Sequence, residues 1–455
     1  MHLRHPVILY LPVRLCCVIA FVAATLGGHG NIFAETLRIQ SVRVVGYRIE
    51  RTKVFVTSKG TSDSVYGLFI IIEGQTGGGK TLAAVGDALP RGSVTNETLA
   101  DAWAGAQVMA TSLKGATFDG HDIATDRATI EAVVQKLDAI AGQQKLTTAK
   151  PPAPDKQLRA TLCGFETAIL DLVAQKHAVP MHQLLGGSKR NSVSVSALTA
   201  NADASTDELS EQADGADAYG AIRVKVGLNI DEDVARIASV AGRMAKAGEV
   251  NDIWVDVNQA WKDAETSIAN LNKIRDALTE VNFKGRFICE QPTVETELAA
   301  LAAVTEQTRA WNKGAAVKIV TMADEAVWTL ADAKRMVELD AADYVNIKIQ
   351  KAGGLLESMR IGQYLVNAAP NVRVYVGGVI CTDVTAYANL QLCFALPRLD
   401  FATGCVPRRN YPINAAATPL NYSKGKSFSR PTVPGLGTAL STEDLKPYIR
   451  RDVTH

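Results

Sequence analysis

Ile222-Arg-Val-Lys225-Val-Gly and Ile253-Trp-Val-Asp256-Val-Asn258 are two short apolar runs, each finished by an ionisable side chain. Between them Val234, Ile237, Ala238, Ala241 and Met244 recur at helical spacing and form one apolar face. A buried-type strand, a helix that covers it and a second such strand make a parallel βα unit. The pattern repeats downstream at Arg286–Cys289, Val317–Met322, Tyr344–Ile349 and Arg373–Val376, and Val193-Ser-Val-Ser supplies a first strand upstream. Thr329 and Asp332 form a capping box for the helix after Met322. Six or seven such units predict an α/β protein whose residues 191–403 form a modified (β/α)-barrel.

Barrels of this kind carry their chemistry at the C-terminal ends of the strands. Taken in order, the predicted strand ends supply Lys225, Asp256, Glu290, Asp324 and Lys348, separated by 31, 34, 34 and 24 residues. A packed strand does not ordinarily end on a charge. One such residue is a solvated loop charge; five in register form a constellation. Three carboxylates converging on one mouth offer hard oxygen ligands suited to Mg²⁺, with Mn²⁺ a substitute. A lysine on either side of that ion can act as base and as acid.

These motifs also carry a family resemblance. Ile222-Arg223-Val-Lys225, Val255-Asp256-Val-Asn258, Ile288-Cys-Glu290-Gln291-Pro292, Met322-Ala-Asp324-Glu325 and Val345-Asn-Ile-Lys348-Ile-Gln-Lys351-Ala-Gly353-Gly354 resemble the enolase superfamily, most closely its muconate lactonizing enzyme-like subgroup. Ala168-Ile-Leu-Asp171-Leu, Pro180–Gly187 and Pro434-Gly-Leu-Gly437 extend the likeness over most of the chain after residue 35. The resemblance implies that Asp256, Glu290 and Asp324 bind Mg²⁺ and that Lys225 and Lys348 face opposite sides of a small carboxylate substrate. Such sites pair a Lys base with Mg²⁺ to hold an enediolate. A free lysine titrates near 10.4, and bringing it to about 7–8 costs roughly 4 kcal/mol. The ion and Arg223 push in that direction. Asn258, Glu325 and Lys351 are expected to support the site through ion pairs and hydrogen bonds.

Departures from the family pattern narrow the chemistry. All seven histidines, at positions 2, 5, 29, 121, 177, 182 and 455, lie outside the predicted strands, so a His–Asp base is missing. Cys381 stands where the subgroup commonly has Glu, with Asp383 two positions on. Thr403 and Cys405 replace the Asp-x-Asp signature of dipeptide epimerases. Lysine on both faces points to racemisation or epimerisation. Cycloisomerisation and syn elimination share the enediolate and stay open.

Outside the barrel, residues 35–190 are expected to form an α+β capping domain, and residues 404–455 a loop-rich tail packing on it. Alternating Leu37–Val45 and the apolar run Gly67–Ile72 predict strands, and helices are expected near 98–113, 127–141 and 157–177. The segment Thr52–Ser64 is expected to be a loop over the barrel mouth that shapes specificity. A rival reading attaches to Gly74-Gln-Thr-Gly-Gly-Gly79-Lys80-Thr81, which matches a P-loop and sits between an apolar strand and an expected helix. It predicts an NTPase with Lys80 and Thr81 on phosphates.

Composition sets outer bounds. A formal charge of +1 over 455 residues gives no electrostatic footprint for nucleic acid. Of the seven cysteines Cys16 and Cys17 lie in the N-terminal apolar segment, and the other five are odd in number and widely spaced without a C-x-x-C pair, which suggests buried thiols rather than disulfides or zinc. Residues 1–34, with Arg4 and Arg14, the apolar run Leu15–Leu26 and no acid before Glu35, resemble a signal segment too short to span a membrane. They predict an exported or organellar protein, or a cytoplasmic one if the start is misassigned. A homo-oligomer is expected.

Overall fold

The computed structural model describes residues 35–148, 151–194, 198–213, 221–248, 251–379, 381–400, 411–420 and 427–455, with Ala34–His455 forming one compact unit. The targeting segment expected over residues 1–34 lies outside the described residues, as do Thr403 and Cys405. Among the described residues no helix is long and apolar enough to cross a membrane.

The N-terminal layer is an antiparallel sheet. β1 (Leu37–Thr57) and β2 (Gly60–Thr76) make a long hairpin, and β3 (Thr81–Ala88) continues it. The short β4 (Thr117–Phe118) also pairs with β1. Alternation along β1 and β2 points Val42, Val44, Ile70 and Ile72 to one buried face of the sheet. α1 (Leu99–Leu113), α2 (Ile123–Gly142) and α3 (Arg159–Lys176) pack beside the sheet, with Thr98 and Asp122 capping the first two. α3 is buried from Arg159 to Ala174 because sheet and helices cover it on all sides.

The P-loop reading fails here. Residues 77–79 are the turn of the β2–β3 hairpin, closed by the Thr76 amide donating to the Lys80 carbonyl at 2.9 Å. Thr81 opens a strand paired with β2, so no helix N-terminus faces the glycines. Lys80 is exposed on that hairpin.

β5 (Ser192–Ser194) follows, then β6 (Leu198–Ala200) and α4 (Thr206–Ala213), β7 (Ala221–Lys225) and α5 (Ile230–Ala247), β8 (Asp252–Asp256) and α6 (Ala264–Glu280), and β9 (Arg286–Glu290) and α7 (Leu298–Asn312). β10 (Lys318–Ala323), α8 (Leu330–Glu338), β11 (Tyr344–Ile347), α9 (Ile349–Ala352), α10 (Leu355–Ala368), β12 (Arg373–Val376) and α11 (Asp383–Ala395) continue the alternation. β6 to β12 pair in chain order as one curled parallel sheet, the modified (β/α)-barrel architecture expected from the repeat. One strand is reassigned. Ser192–Ser194 pairs antiparallel with β13 (Ser427–Ser429), and the first parallel strand is Leu198–Ala200. The last strand, β14 (Ile449–Thr454), returns to pair with β1.

The segment Thr52–Ser64 is also not a loop. It is the outer end of the β1–β2 hairpin, with a register shift between Glu50 and Phe55 and a turn at Ser58 and Lys59. That turn touches the parallel sheet: Ser58 Oγ donates to the Val257 carbonyl at 3.1 Å.

Candidate active site

Pairing puts neighbouring strand ends level. Lys225 is opposite Asp256, Asp256 opposite Glu290, and Glu290 opposite Met322, two residues before Asp324. Parallel strands in one register bring their C-terminal residues to one mouth. Asp256, Glu290 and Asp324 are wholly buried there, each with an oxygen within 4.8 Å of the others'. Among the described residues this is the one such cluster of three or more metal-ligating side chains.

Three buried carboxylates repel one another and lose their hydration, which costs several kcal/mol per ion unless cations compensate. The flanks supply them. Arg223 Nη2 lies 2.5 Å from Glu290 Oε2 and also pairs with Asp256, while its guanidinium stacks 4.5 Å from the Trp254 ring. Lys225 Nζ pairs with Asp256, and Lys348 Nζ with Asp324. Lys351, wholly buried, donates to Asp324 Oδ1 at 2.7 Å and to the carbonyls of Val327 at 3.0 Å and Asn346 at 3.3 Å. It also reaches the Asp324 carbonyl, so these contacts fix the Asp324 segment.

Burial pushes Glu290 up to about 8, and the charges of Asp256 and Asp324 add to it against the pull of Arg223. Burial opposes ionisation of Asp256 too, but Lys225 and Arg223 hold it down at about 2. Asp324 lies well below the usual carboxylate range, its burial outweighed by Lys348 and Lys351. Lys225 is lowered by burial and by Arg223, against Asp256. Lys348 is raised because Asp324 and Glu290 overcome its burial. The donor set fits a hard divalent cation: all ligand atoms are carboxylate oxygens, and Glu290 is the group whose ionisation such a charge would favour.

Around this centre the expected supporting residues find their places. Asn258, held in the left-handed region at φ 49°, donates its amide to Asp256 Oδ1 at 3.0 Å and accepts from Lys225 Nζ at 3.0 Å. Its side-chain amide donates to Glu325 Oε1 at 3.2 Å. Cys381 and Asp383, both buried, sit just before and at the start of α11, and neither belongs to the carboxylate cluster.

Four contributors escaped the sequence reading. Asn346 donates to Glu290 Oε1 at 2.7 Å. Gln291 accepts from the amides of Asp324 at 2.9 Å and Ala326 at 3.1 Å, tying the second ligand's strand to the third's. Phe55 brings its ring 5.9 Å from Lys225 Nζ, and Lys59 pairs with Glu325. Asn346 and Gln291 lie within the quoted motifs, one inside a strand and one just past a strand end, but carried no role there. Phe55 and Lys59 lie in the segment Thr52–Ser64 expected over the mouth, but nothing local singles out these two, because their partners Lys225 and Glu325 lie far downstream.

The chain is similar to known proteins in sequence and in fold. Chloromuconate cycloisomerase of Cupriavidus pinatubonensis is 28% identical over 290 residues, covering 63% of this chain and 72% of that protein. The solved N-succinyl Arg/Lys racemase from Bacillus cereus superposes with a TM-score of 0.74 at 21% identity, over 92% of this chain and all of that one. A Cytophaga hutchinsonii dipeptide epimerase, solved with Mg and the dipeptide D-Ala-L-Val, gives a TM-score of 0.72 at 21% identity, over 92% and 99%. The family model described as enolase C-terminal domain-like matches residues 206–445, more than half of the sequence. The chain belongs to the enolase C-terminal domain-like family.

Proposed function

We propose that this protein is an isomerase that removes the proton α to a substrate carboxylate and returns a proton to the same carbon, a racemase or epimerase acting through an enediolate. The carrying observation is the order of the strand ends: lysine, three carboxylates, lysine, all buried at one mouth. Asp256, Glu290 and Asp324 would hold Mg²⁺, or Mn²⁺ in its place, and the ion would neutralise the second negative charge that builds on the substrate carboxylate. Lys225 and Lys348 approach from opposite flanks of that carboxylate, so one takes the proton and the other delivers one. Arg223, Lys351, Asn258 and Asn346 keep the acids and Lys225 in place. Phe55, whose ring lies 5.9 Å from Lys225 Nζ, would help exclude water from the reacting carbon. The assembly is proposed to be a homo-oligomer, and a monomer mass from light scattering would sink that part.

The test is a screen of small carboxylic acids in deuterium oxide with Mg²⁺, N-acyl amino acids, dipeptides and muconates first, followed by NMR of the α position. Wild type incorporates deuterium. Lys225→Ala abolishes incorporation from one enantiomer and Lys348→Ala from the other. If both variants exchange like wild type, the two-base mechanism is wrong.

A second reading keeps the same site but uses one lysine as base and the other as a fixed cation, giving cycloisomerisation or syn elimination. Similarity to a chloromuconate cycloisomerase over 72% of that protein favours it. Ring closure or loss of a leaving group without α-deuterium would decide for it.

A further inference from the structure

The turn of the β1–β2 hairpin reaches into the mouth of the parallel sheet with one charged side chain. Lys59 Nζ lies 2.8 Å from Glu325 Oε1 and 3.1 Å from the Ser93 carbonyl. Glu325 immediately follows Asp324 and is only 2% exposed. Its other oxygen, Oε2, has no hydrogen-bond partner among the described residues. A carboxylate so placed needs a cation, and among the described residues Lys59 is the one paired with it.

The same Glu325 oxygen accepts the Asn258 amide group at 3.2 Å, and this sets which way that side chain points. An ionised carboxylate accepts only, so the NH₂ end of Asn258 must face it and the carbonyl end must face Lys225 Nζ, 3.0 Å away. Lys59, Glu325, Asn258 and Lys225 therefore form one hydrogen-bonded chain from the hairpin to the strand end. The turn is also seated by its backbone neighbours. Ser58 Oγ donates to the carbonyl of Val257, between Asp256 and Asn258. A Cβ on Gly227, at φ 103°, would come within 3.3 Å of Ser58 and 2.6 Å of Ala260. The glycine leaves room for the turn.

We propose that Lys59 is a positioning residue: by neutralising Glu325 it orients Asn258, which holds Lys225 toward the substrate, so that docking of the hairpin and alignment of the base are one event. This rests on the reading of Lys225 as a proton-transfer base. Without the Lys59 charge, Glu325 becomes a buried uncompensated carboxylate whose nearest remedy is to draw on the site's own lysines, misaligning the base. A misplacement of about 1 Å costs up to about 100-fold in rate.

The experiment compares full-length wild type, Lys59→Met and Lys59→Arg, each with Mg²⁺. Amide hydrogen exchange over residues 50–64 reports docking of the hairpin, and α-deuterium incorporation is followed from each substrate enantiomer separately. Lys225→Ala identifies the enantiomer served by that lysine. Lys59→Met is expected to raise amide exchange at the turn and to slow deuterium incorporation from that enantiomer roughly 10- to 100-fold. Incorporation from the other enantiomer stays near the wild-type rate, and Lys59→Arg restores both readouts. Equal slowing from both enantiomers, or no slowing, overturns the proposal. If wild type incorporates no deuterium from any carboxylate, the proposed function fails instead, and unchanged amide protection in Lys59→Met then removes the latch as well.

Discussion

Glu290 stands between two other carboxylates and keeps company with one guanidinium and one carboxamide, so its charge is the least compensated of the three acids. Replacing it with glutamine removes a ligand while keeping shape and burial. Glu290→Gln is expected to weaken Mg²⁺ binding by roughly 100-fold or more, since even residues that only support a ligand are worth 10- to 100-fold. Calorimetry measures it. The metal-free variant should melt no lower than wild type, because a neutral amide replaces a poorly compensated buried acid; undiminished Mg²⁺ affinity would remove Glu290 from the site. The lysines separate by the same logic. Lys351 is wholly buried and bonded to Asp324 and two carbonyls, so Lys351→Met leaves those groups unpaired and should cost about 3–5 kcal/mol in urea denaturation. Lys225 lies at the mouth beside Phe55, with Arg223 as a second cation on Asp256. Lys225→Met should therefore abolish exchange from one enantiomer with a smaller loss of stability. Equal destabilisation by the two variants would contradict this division of labour.

At the scale of elements, α3 carries the contact between the N-terminal layer and the turn that follows Lys348. Glu97 accepts the Ala160 and Thr161 amides at the start of α3, and Glu166 in its middle accepts the Leu356 amide at 2.9 Å. Gly354, at φ 150°, lies against Glu166 so closely that a Cβ would meet Cδ at 2.2 Å. Burial pushes Glu166 up to about 7 from its ordinary 4.5, with the Leu356 and Leu355 amides and the distant charges of Arg360 and Arg127 opposing. The fold thus favours the neutral acid. Its contribution is full below about pH 4.5 and is lost as pH rises to about 7, by up to roughly 3 kcal/mol. Glu166→Gln should remove that part of the slope, leaving the variant more stable relative to wild type at about pH 7.5 than at about pH 5 in urea denaturation. A pH-independent difference would show that Glu166 ionises freely in the fold. The strand ends around the site were legible because a charge closing an apolar run is costly unless it has work there, as at Asp256 and Glu290. Val193-Ser-Val-Ser was misplaced although its alternation is that of a strand with one wet face, which β5 is in its antiparallel pair with β13. The glycines of residues 74–81 matched a pattern whose physics needs a helix, whereas Thr81-Leu-Ala-Ala-Val pairs with β2 and remains a strand. Lys59 lies in the segment expected over the mouth, but its pairing was beyond reach because Glu325 lies 266 residues away, and only the assembled sheets bring them together.

Over the whole molecule the chain closes on itself: its last strand, β14, covers β1, the strand that opens the N-terminal sheet. The His455 amide donates to the Val42 carbonyl at 2.9 Å, the Val42 amide to the His455 carbonyl at 3.2 Å, and Arg43 Nε to Asp452 Oδ1 at 2.6 Å. Upstream, the Leu436 amide donates to the wholly buried Asp171 on α3 at 2.8 Å, and Gly435, at φ 75°, passes where a Cβ would sit 2.2 Å from that carboxylate. The tail is therefore anchored twice, and the outer anchor alone can be removed by deleting residues 449–455. β1 would then present unpaired amides and carbonyls at Val42 and Val44, whose side chains form the core. A long apolar strand with an open edge is a template for pairing between copies. The shortened chain is expected to elute as large aggregates at concentrations where the full chain is monodisperse. Its soluble fraction should bind Mg²⁺ with unchanged affinity, because β8, β9 and β10 make no ladder with β14. A monodisperse truncation would show that β14 is dispensable as an edge cover, and lost Mg²⁺ binding in the soluble fraction would show that the tail's pairing is transmitted to the carboxylates.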